Sequence, residues 1–277
     1  MKYFLLSILL FASAAHAQDN KIILPERTFG PSPGSAWMIV GPLTPIEPGN
    51  IDTNFHFEQG RVIFQQNKFN VELYFAAGLN FDTKGYAWNN NVALQGGVKA
   101  NRTIAFKHLE GVMTVGGAEA YENRWKANSA AAPAIFVEDW FGWNAAEEKA
   151  SRFPGESWAV IGKNIAPVER GNVIGVVYIE QGYKLPLYAH EAQGRRMDWA
   201  LIPFIEETYS ADTLHYDWNN FSRTGAGLKV AMAAGMEFGA SYIDERRFQS
   251  GLHAAGFSVF IKFWKGWDVR SKYQGSY

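Results

Sequence analysis

Apolar and polar side chains alternate along several segments of the chain. From Phe69 to Phe81 the odd positions are apolar, while the even positions are polar or small. Because successive side chains of a β-strand point to opposite faces, this pattern predicts a strand with one apolar face. The same alternation recurs at 92–104, 226–232 and 236–242. The chain therefore belongs to the all-β class.

A water-soluble sandwich also alternates, but three features favour a membrane barrel. The polar face often carries small residues or charges of both signs, which suits a barrel lumen. The strands are long, at about 10 or more residues, as tilted membrane-spanning strands must be. Aromatic residues also gather near strand ends, where membrane barrels place rings at the two interfaces. These rings are Tyr86, Trp88, Tyr121, Trp125, Trp140, Trp143, Trp218, Trp264 and Trp267.

The segments predict an antiparallel transmembrane β-barrel of about 12 strands, an even number as bacterial barrels require. They are 36–41, 54–65, 68–81, 89–104, 109–122, 133–143, 157–164, 172–183, 197–210, 222–233, 236–244 and 255–267. The first and seventh are weakly patterned, so ten strands is the alternative count. Short and long connections alternate, except at 144–156, which could form a helical turn, and at 184–196. We expect no repeat of fixed period beyond the hairpins.

The N-terminal segment of the chain predicts export. Lys2, the apolar run from Phe4 to Phe11 and the small-x-small site at Ala15–Ala17 indicate a cleaved signal peptide over 1–17. That run is far shorter than the ~20 residues of a spanning helix. Residues 18–35 are expected to form a periplasmic lead-in, 36–267 the outer-membrane barrel and 268–277 a polar C-terminal tail. The predicted location is the bacterial outer membrane.

Composition excludes several classes of function. The chain has no cysteine, which excludes thiol catalysis and metal sites with cysteine ligands. Its net charge of −1 gives no indication of nucleic-acid binding. His56 and Glu58 share a strand face but are more simply a polar lumen pair, so we assign no metal and no cofactor.

Six charged residues are predicted by strand parity to line the lumen: Glu72, Lys99, Glu206, Lys229, Glu237 and Lys262. Buried charges require water or partners. They could line a wet pore and select its solute, or they could form an ion-pair network that plugs and braces the barrel. Because both signs are present, no strong preference for anions or cations follows.

One short segment could support catalysis. His215 and Ser222 are close in sequence, and a serine needs an adjacent base to become a nucleophile. This pair is the basis of an alternative function, an outer-membrane lipid hydrolase. The simpler interpretation is an external loop rich in turn-forming residues, and we do not expect an enzyme.

Part of the chain resembles the barrel end of the bacteriophage adsorption protein A family and related exopolysaccharide-secretion barrels. The similar residues are Asn91–Ala100, Trp199–Glu206, and Tyr216–Asn220 leading into Gly225–Lys229. The resemblance implies a barrel whose periplasmic scaffold is a separate protein. It transfers no functional residue.

These observations predict an outer-membrane barrel that acts as a passage, either a pore or a polysaccharide-export component, or as a surface or phage receptor. Expected partners are outer-membrane lipid, a polysaccharide or small solute, and a separate periplasmic scaffold protein. Besides the lipid hydrolase, the second alternative is a soluble periplasmic β-sandwich that binds glycan.

Overall fold

The chain forms thirteen β-strands and one short 3-10 helix in the residues that the structure describes. This computed structural model describes residues 32–106, 109–143, 152–192, 195–232 and 235–267. The strands are β1 Gly34–Gly41, β2 Asp52–Gln66, β3 Phe69–Asp82, β4 Asn91–Ala105, β5 Leu109–Arg124, β6 Ser129–Trp143, β7 Gly155–Lys163, β8 Val173–Gly182, β9 Leu185–Ala192, β10 Arg195–Asp212, β11 Phe221–Met232, β12 Met236–Arg247 and β13 His253–Trp267. The helix is Asp217–Asn219. The predicted signal peptide, most of the predicted lead-in at 18–35, the C-terminal tail and residues 144–151 of the connection that could form a helical turn lie outside these residues.

The strands close into an antiparallel barrel. From β1 to β8 and from β9 to β13 each strand pairs with the next along the chain, and β13 pairs back with β1, with Trp264 opposite Trp37. β8 and β9 both pair with β10, β8 with its second half and β9 with its first. They are thus two parts of one interrupted strand. The barrel has twelve strands, which confirms the predicted count.

The two ends of the barrel differ in their connections. Six connections, 42–51, 83–90, 125–128, 164–172, 213–220 and 248–252, share one end, here called the loop end, whereas the longest connection, 144–154, joins β6 to β7 at the opposite end. At the opposite end β2 and β3 are joined by a tight turn in which Asn67 has φ 52. The expectation of an irregular connection at 184–196 was wrong, because β9 and the start of β10 form a hairpin there. Its sequence is rich in charged residues, so apolar alternation did not reveal it.

The outer face of the barrel is an apolar belt. Its exposed side chains include Leu73, Phe75, Ile135, Val137, Val177, Ile179, Ile205, Leu228, Phe238, Phe257 and Val259. An outward apolar band with a polar interior is the pattern of a membrane-spanning barrel. Among the described residues there is no helix long and apolar enough to cross a membrane.

The two halves of the barrel share short sequence motifs in the same order. The expectation of no repeat of fixed period beyond the hairpins did not include them. The sequence Pro-x-Glu-x-Gly-Asn occurs at 45–50 and 167–172, Asp-Thr-x-x-Tyr-x-Trp-Asn-Asn at 82–90 and 212–220, and Glu-x-Arg at 122–124 and 245–247. The spacing varies: Asn172 follows Asn50 by 122 residues, but Asp212 follows Asp82 by 130. A search for one period therefore fails. The halves are β1–β6 and β7–β13.

Candidate functional site: the barrel interior and its mouth

All six predicted lumen residues face the interior, where they belong to two clusters of charged side chains. Glu72 and Lys99 lie directly opposite each other on β3 and β4, and both are buried. Glu206, Lys229, Glu237 and Lys262 lie in the other half of the barrel. Strand parity predicted that these side chains point inward, but it did not predict which side chains they bind.

The first cluster surrounds Lys99. Its Nζ lies 2.6 Å from a carboxylate oxygen of Glu58 and 2.9 Å from one of Glu138. The ammonium group also lies over the Tyr74 ring, 4.4 Å from its centroid. An ammonium group with two carboxylates and an aromatic face is well compensated for the loss of water.

The second cluster surrounds Lys229. Its Nζ lies 2.7 Å from Glu180 and 2.9 Å from Glu237. Lys262 adds a second cation, 3.9 Å from carboxylate oxygens of both Glu180 and Glu206. The Tyr178 hydroxyl lies 3.0 Å from the same two carboxylates. This half therefore balances its carboxylates with two lysines, whereas the first half has one.

The two clusters together are acidic. Seven glutamates belong to them, Glu58, Glu72, Glu138, Glu156, Glu180, Glu206 and Glu237, against the three lysines. Sequence reasoning missed Glu58, Glu138, Glu156 and Glu180. Glu58 and Glu180 could have been found, because each precedes a Gln-Gly pair at matching places in the two halves.

Water reaches part of this interior. The side chain of Glu138 is 35% exposed, whereas that of Lys99 is 7% exposed. On the same inner face, Trp37 stacks on His56 with ring centroids 5.6 Å apart, and Trp158 stacks on Tyr178. His56 therefore packs against a ring. Nowhere in the described parts of the chain do three or more His, Cys, Asp or Glu side chains come together to hold a metal.

The predicted interfacial rings occupy different places. Trp143 and Trp267 lie at the end opposite the loops, where their Nε1 atoms donate to Gln181 and Gln59. Trp140 faces inward and donates to Glu156. Tyr86, Trp88 and Trp218 lie at the mouth and stack on one another, so their prediction as interfacial rings was wrong. They follow strand ends, but their loops fold inward.

Each half supports its mouth loops with a buried asparagine. In the first half Asn50 Nδ2 donates to Glu47 at 2.9 Å and to Asp82 at 3.2 Å. In the second half Asn172 Nδ2 donates to Glu169 and Asp212, both at 2.8 Å. The matching hydrogen bonds show that the sequence repeat is also a structural one.

Ion pairs join the two halves at this end. Arg124 binds Glu122 of its own half at 2.7 Å and Glu169 of the other half at 2.6 Å. Arg247 likewise binds Glu245 at 3.3 Å and, across the halves, Glu47 at 3.1 Å. Each arginine therefore connects a strand end of one half to a loop of the other.

Four aromatic rings stack at the mouth. Tyr86 lies on Trp88 at 4.6 Å, Trp88 on Trp218 at 5.5 Å and Trp218 on Tyr216 at 4.7 Å between ring centroids, with interplanar angles of 8–10°. Trp88 and Trp218 are equivalent residues of the two halves. A rotation that exchanges the halves of a closed barrel must run along the barrel axis. Equivalent residues that touch therefore lie at that axis, which places this ring stack at the centre of the mouth.

The structure does not bring His215 and Ser222 together as a catalytic pair. The described partner of the His215 ring is Gln249, whose Nε2 lies 3.3 Å from Nδ1. Ser222 lies opposite Tyr209, an exposed residue of the outer face, so its side chain points away from the lumen. The hydrolase alternative has no support from this arrangement.

No family model and no curated protein matches the chain. It is similar to the beta domain of the Bordetella autotransporter Brka, at 12% identity and a TM-score of 0.37, over 84% of this chain and 97% of that one. It is also similar to LpxR from Salmonella typhimurium, at 9% identity and a TM-score of 0.38, over 83% and 99%. A third similar structure is a bacterial polysaccharide outer membrane secretin, at 9% identity and a TM-score of 0.31, over 88% and 100%.

At these TM-scores the likenesses carry no argument about function. The resemblance to the bacteriophage adsorption protein A family stays a prediction. The strand pairing and the apolar belt define the architecture directly: the chain forms a closed twelve-stranded antiparallel barrel of the outer-membrane type.

Proposed function

We propose that this protein is an outer-membrane passage for small cationic solutes. The observation that carries the proposal is the excess of seven glutamates over three lysines in the interior clusters. Charged residues inside a membrane-spanning structure are costly to retain and commonly mark solute or ion pathways. An acidic lining favours cations.

A small solute suits this interior better than a polymer does. The ring stack at the centre of the mouth and the buried lysines leave little room for a chain to thread through. A polysaccharide-export role, a receptor role and a separate periplasmic scaffold remain predictions from the sequence. The proposal does not depend on any of them.

Planar-bilayer recording tests the proposal. Under a KCl gradient, we expect channel events whose reversal potential shows a preference for potassium over chloride. Glu138→Gln should reduce that preference, because this carboxylate is more exposed than Glu58, the other carboxylate bound to Lys99. The matched control is Glu119→Gln, which removes a charge from the exposed outer face. Anion preference in the wild type, or an equal effect of both variants, would overturn the proposal.

A further inference from the structure

We propose that the ring stack Tyr86–Trp88–Trp218–Tyr216 is the gate of this passage, and that it opens by separating Trp88 from Trp218. This inference rests on the proposed function, because a gate requires a passage. Its position supports it: the two central rings meet at the barrel axis, where an entering solute has to pass.

Each Tyr–Trp pair is held by its own half of the barrel. Asn90 Nδ2 donates to the Tyr86 carbonyl oxygen, and Asn220 Nδ2 donates to that of Tyr216, both at 2.7 Å. Asp82 and Asp212 accept from the backbone N–H of these tyrosines at 3.1 Å. Between the two pairs the described contact is ring stacking. Separation at Trp88–Trp218 therefore breaks a stacking contact while the hydrogen bonds within each loop remain.

The two tryptophans differ in one contact, which indicates the one that moves. Trp218 Nε1 donates to Glu169 at 3.2 Å. Trp88 Nε1 is buried without a hydrogen-bond partner among the described residues. Glu47, the equivalent acceptor in the first half, makes no such bond to Trp88, although an arginine binds each glutamate, Arg247 at Glu47 and Arg124 at Glu169. A buried hydrogen-bond donor without an acceptor raises the free energy of the state that contains it. The closed state is therefore destabilised at Trp88, and this cost is removed when the Trp88 ring rotates outward and its Nε1 binds water.

Conservative substitutions at the two sites should have opposite effects. Trp88→Phe keeps an aromatic ring but removes the unsatisfied donor, so it should lower the open fraction in single-channel recordings. Trp218→Phe removes a satisfied donor and leaves Glu169 with one bond fewer, so it should raise the open fraction. Phenylalanine keeps an aromatic ring at each position of the stack, so both variants are expected to fold like the wild type.

Removing a ring should open the passage. Trp88→Ala and Trp218→Ala should each raise the open fraction by up to about tenfold, the factor that one aromatic pair contributes. Trp125→Ala is the control, because Trp125 is exposed at the same end of the barrel and outside the stack. Every variant is first checked for folding by its mobility on a detergent gel before and after boiling.

The outcomes separate the gate from the passage. If the wild type conducts cations and all the tryptophan variants match it, the gate is overturned and the passage stands. If correctly folded wild type and alanine variants are all silent, the passage and the gate are both overturned. Equal shifts in Trp88→Phe and Trp218→Phe would overturn the assignment of Trp88 as the moving ring.

Discussion

Gly116 and Gly239 occupy equivalent places on the inner face, each beneath a phenylalanine ring. A Cβ on Gly116 would overlap the Phe136 ring, and one on Gly239 would overlap the Phe260 ring. Because these rings are buried, they have little space into which to move. Phe136 also lies beneath Lys99, whose Nζ is 5.7 Å from the ring centroid. These glycines therefore set the packing below the charged clusters.

Gly116→Ala should destabilise the barrel by about 1–3 kcal/mol, the usual cost of forcing extra volume into a packed interior. Urea unfolding in detergent micelles, followed by tryptophan fluorescence, measures the loss. Gly96→Ala is the matched control, since its Cβ would approach no atom closer than 3.9 Å. Equal stability of the two variants would contradict the proposed packing.

Lys99→Met should cost more stability than Lys229→Met. Removing one partner of a buried ion pair costs about 3–5 kcal/mol, because the remaining charge loses its compensation. Glu58 and Glu138 would both lose their shared cation, whereas Glu180 would still have Lys262 nearby. The same urea experiment compares the two variants, with the exposed Lys84→Met as reference. A greater loss of stability in Lys229→Met than in Lys99→Met would show that Lys262 does not compensate the carboxylates of the second cluster.

Strand parity predicted the inward direction of all six charges, since a period of two fixes the face of each side chain. The ion pairs could not be predicted in this way. Lys99 meets Glu58 and Glu138, which are about forty positions away on either side in the sequence. Such pairs depend on the relative register and closure of strands that alternation does not specify.

At the scale of elements, the mouth loops are compact because side chains replace the missing strand hydrogen bonds. Asn50 is fully buried, and its Oδ1 accepts from the Thr83 hydroxyl and the Lys84 backbone N–H. One side chain thus connects the 42–51 and 83–90 loops. Asn172 does the same for the 164–172 and 213–220 loops through Thr213 and Leu214.

Asn50→Ala and Asn172→Ala should loosen these loops without unfolding the strands. Each substitution leaves buried donors and acceptors unsatisfied, at a cost of about 1–3 kcal/mol for each group. Limited proteolysis of the protein in vesicles should show faster cleavage within the connected loops. Asn123→Ala, an exposed residue near the same end, serves as control. Unchanged cleavage would mean that the ring stack and the ion pairs of Arg124 and Arg247 hold the loops without these asparagines.

The number of strands could be predicted from the sequence, but two features of their organisation could not. Alternation of apolar and polar residues shows which side chains face lipid. The β9–β10 hairpin carries charged residues, so it has no such alternation and could not be predicted from it. The repeat was missed because connections of different length shift its spacing, from 122 residues at Asn50 to 130 at Asp82. The Asp-Thr-x-x-Tyr-x-Trp-Asn-Asn segments would have revealed it, had they been compared without a fixed period.

At the scale of the whole molecule, the halves meet at two equivalent seams. β1 pairs with β13 at one seam and β6 with β7 at the other. Gly34 lies opposite Trp267 at the first, and Gly155 lies opposite Trp143 at the second. Each half also contains its own charged cluster and its own loop network. The covalent connection 144–154 therefore joins two units that already fit each other.

A chain cut within 144–154 should still assemble when both pieces, each with the predicted leader, are expressed together. The expected result is one species that runs folded on a detergent gel and separates into two bands after boiling. A cut within 83–90, which leaves unequal pieces and divides the first loop network, should assemble less well. Failure of the 144–154 cut alone would show that this connection is needed for closure.

The equivalence of the two seams also bears on the history of the protein. A single six-stranded chain with this seam could close by pairing with a second copy of itself, giving a symmetric dimer in which every side chain appears twice. Joining two such copies in one gene would free each copy to change separately. Trp88, which lacks the acceptor that Trp218 retains, and Lys262, which stands where the first half has Glu138, are the kind of differences that an ancestral dimer could not have had.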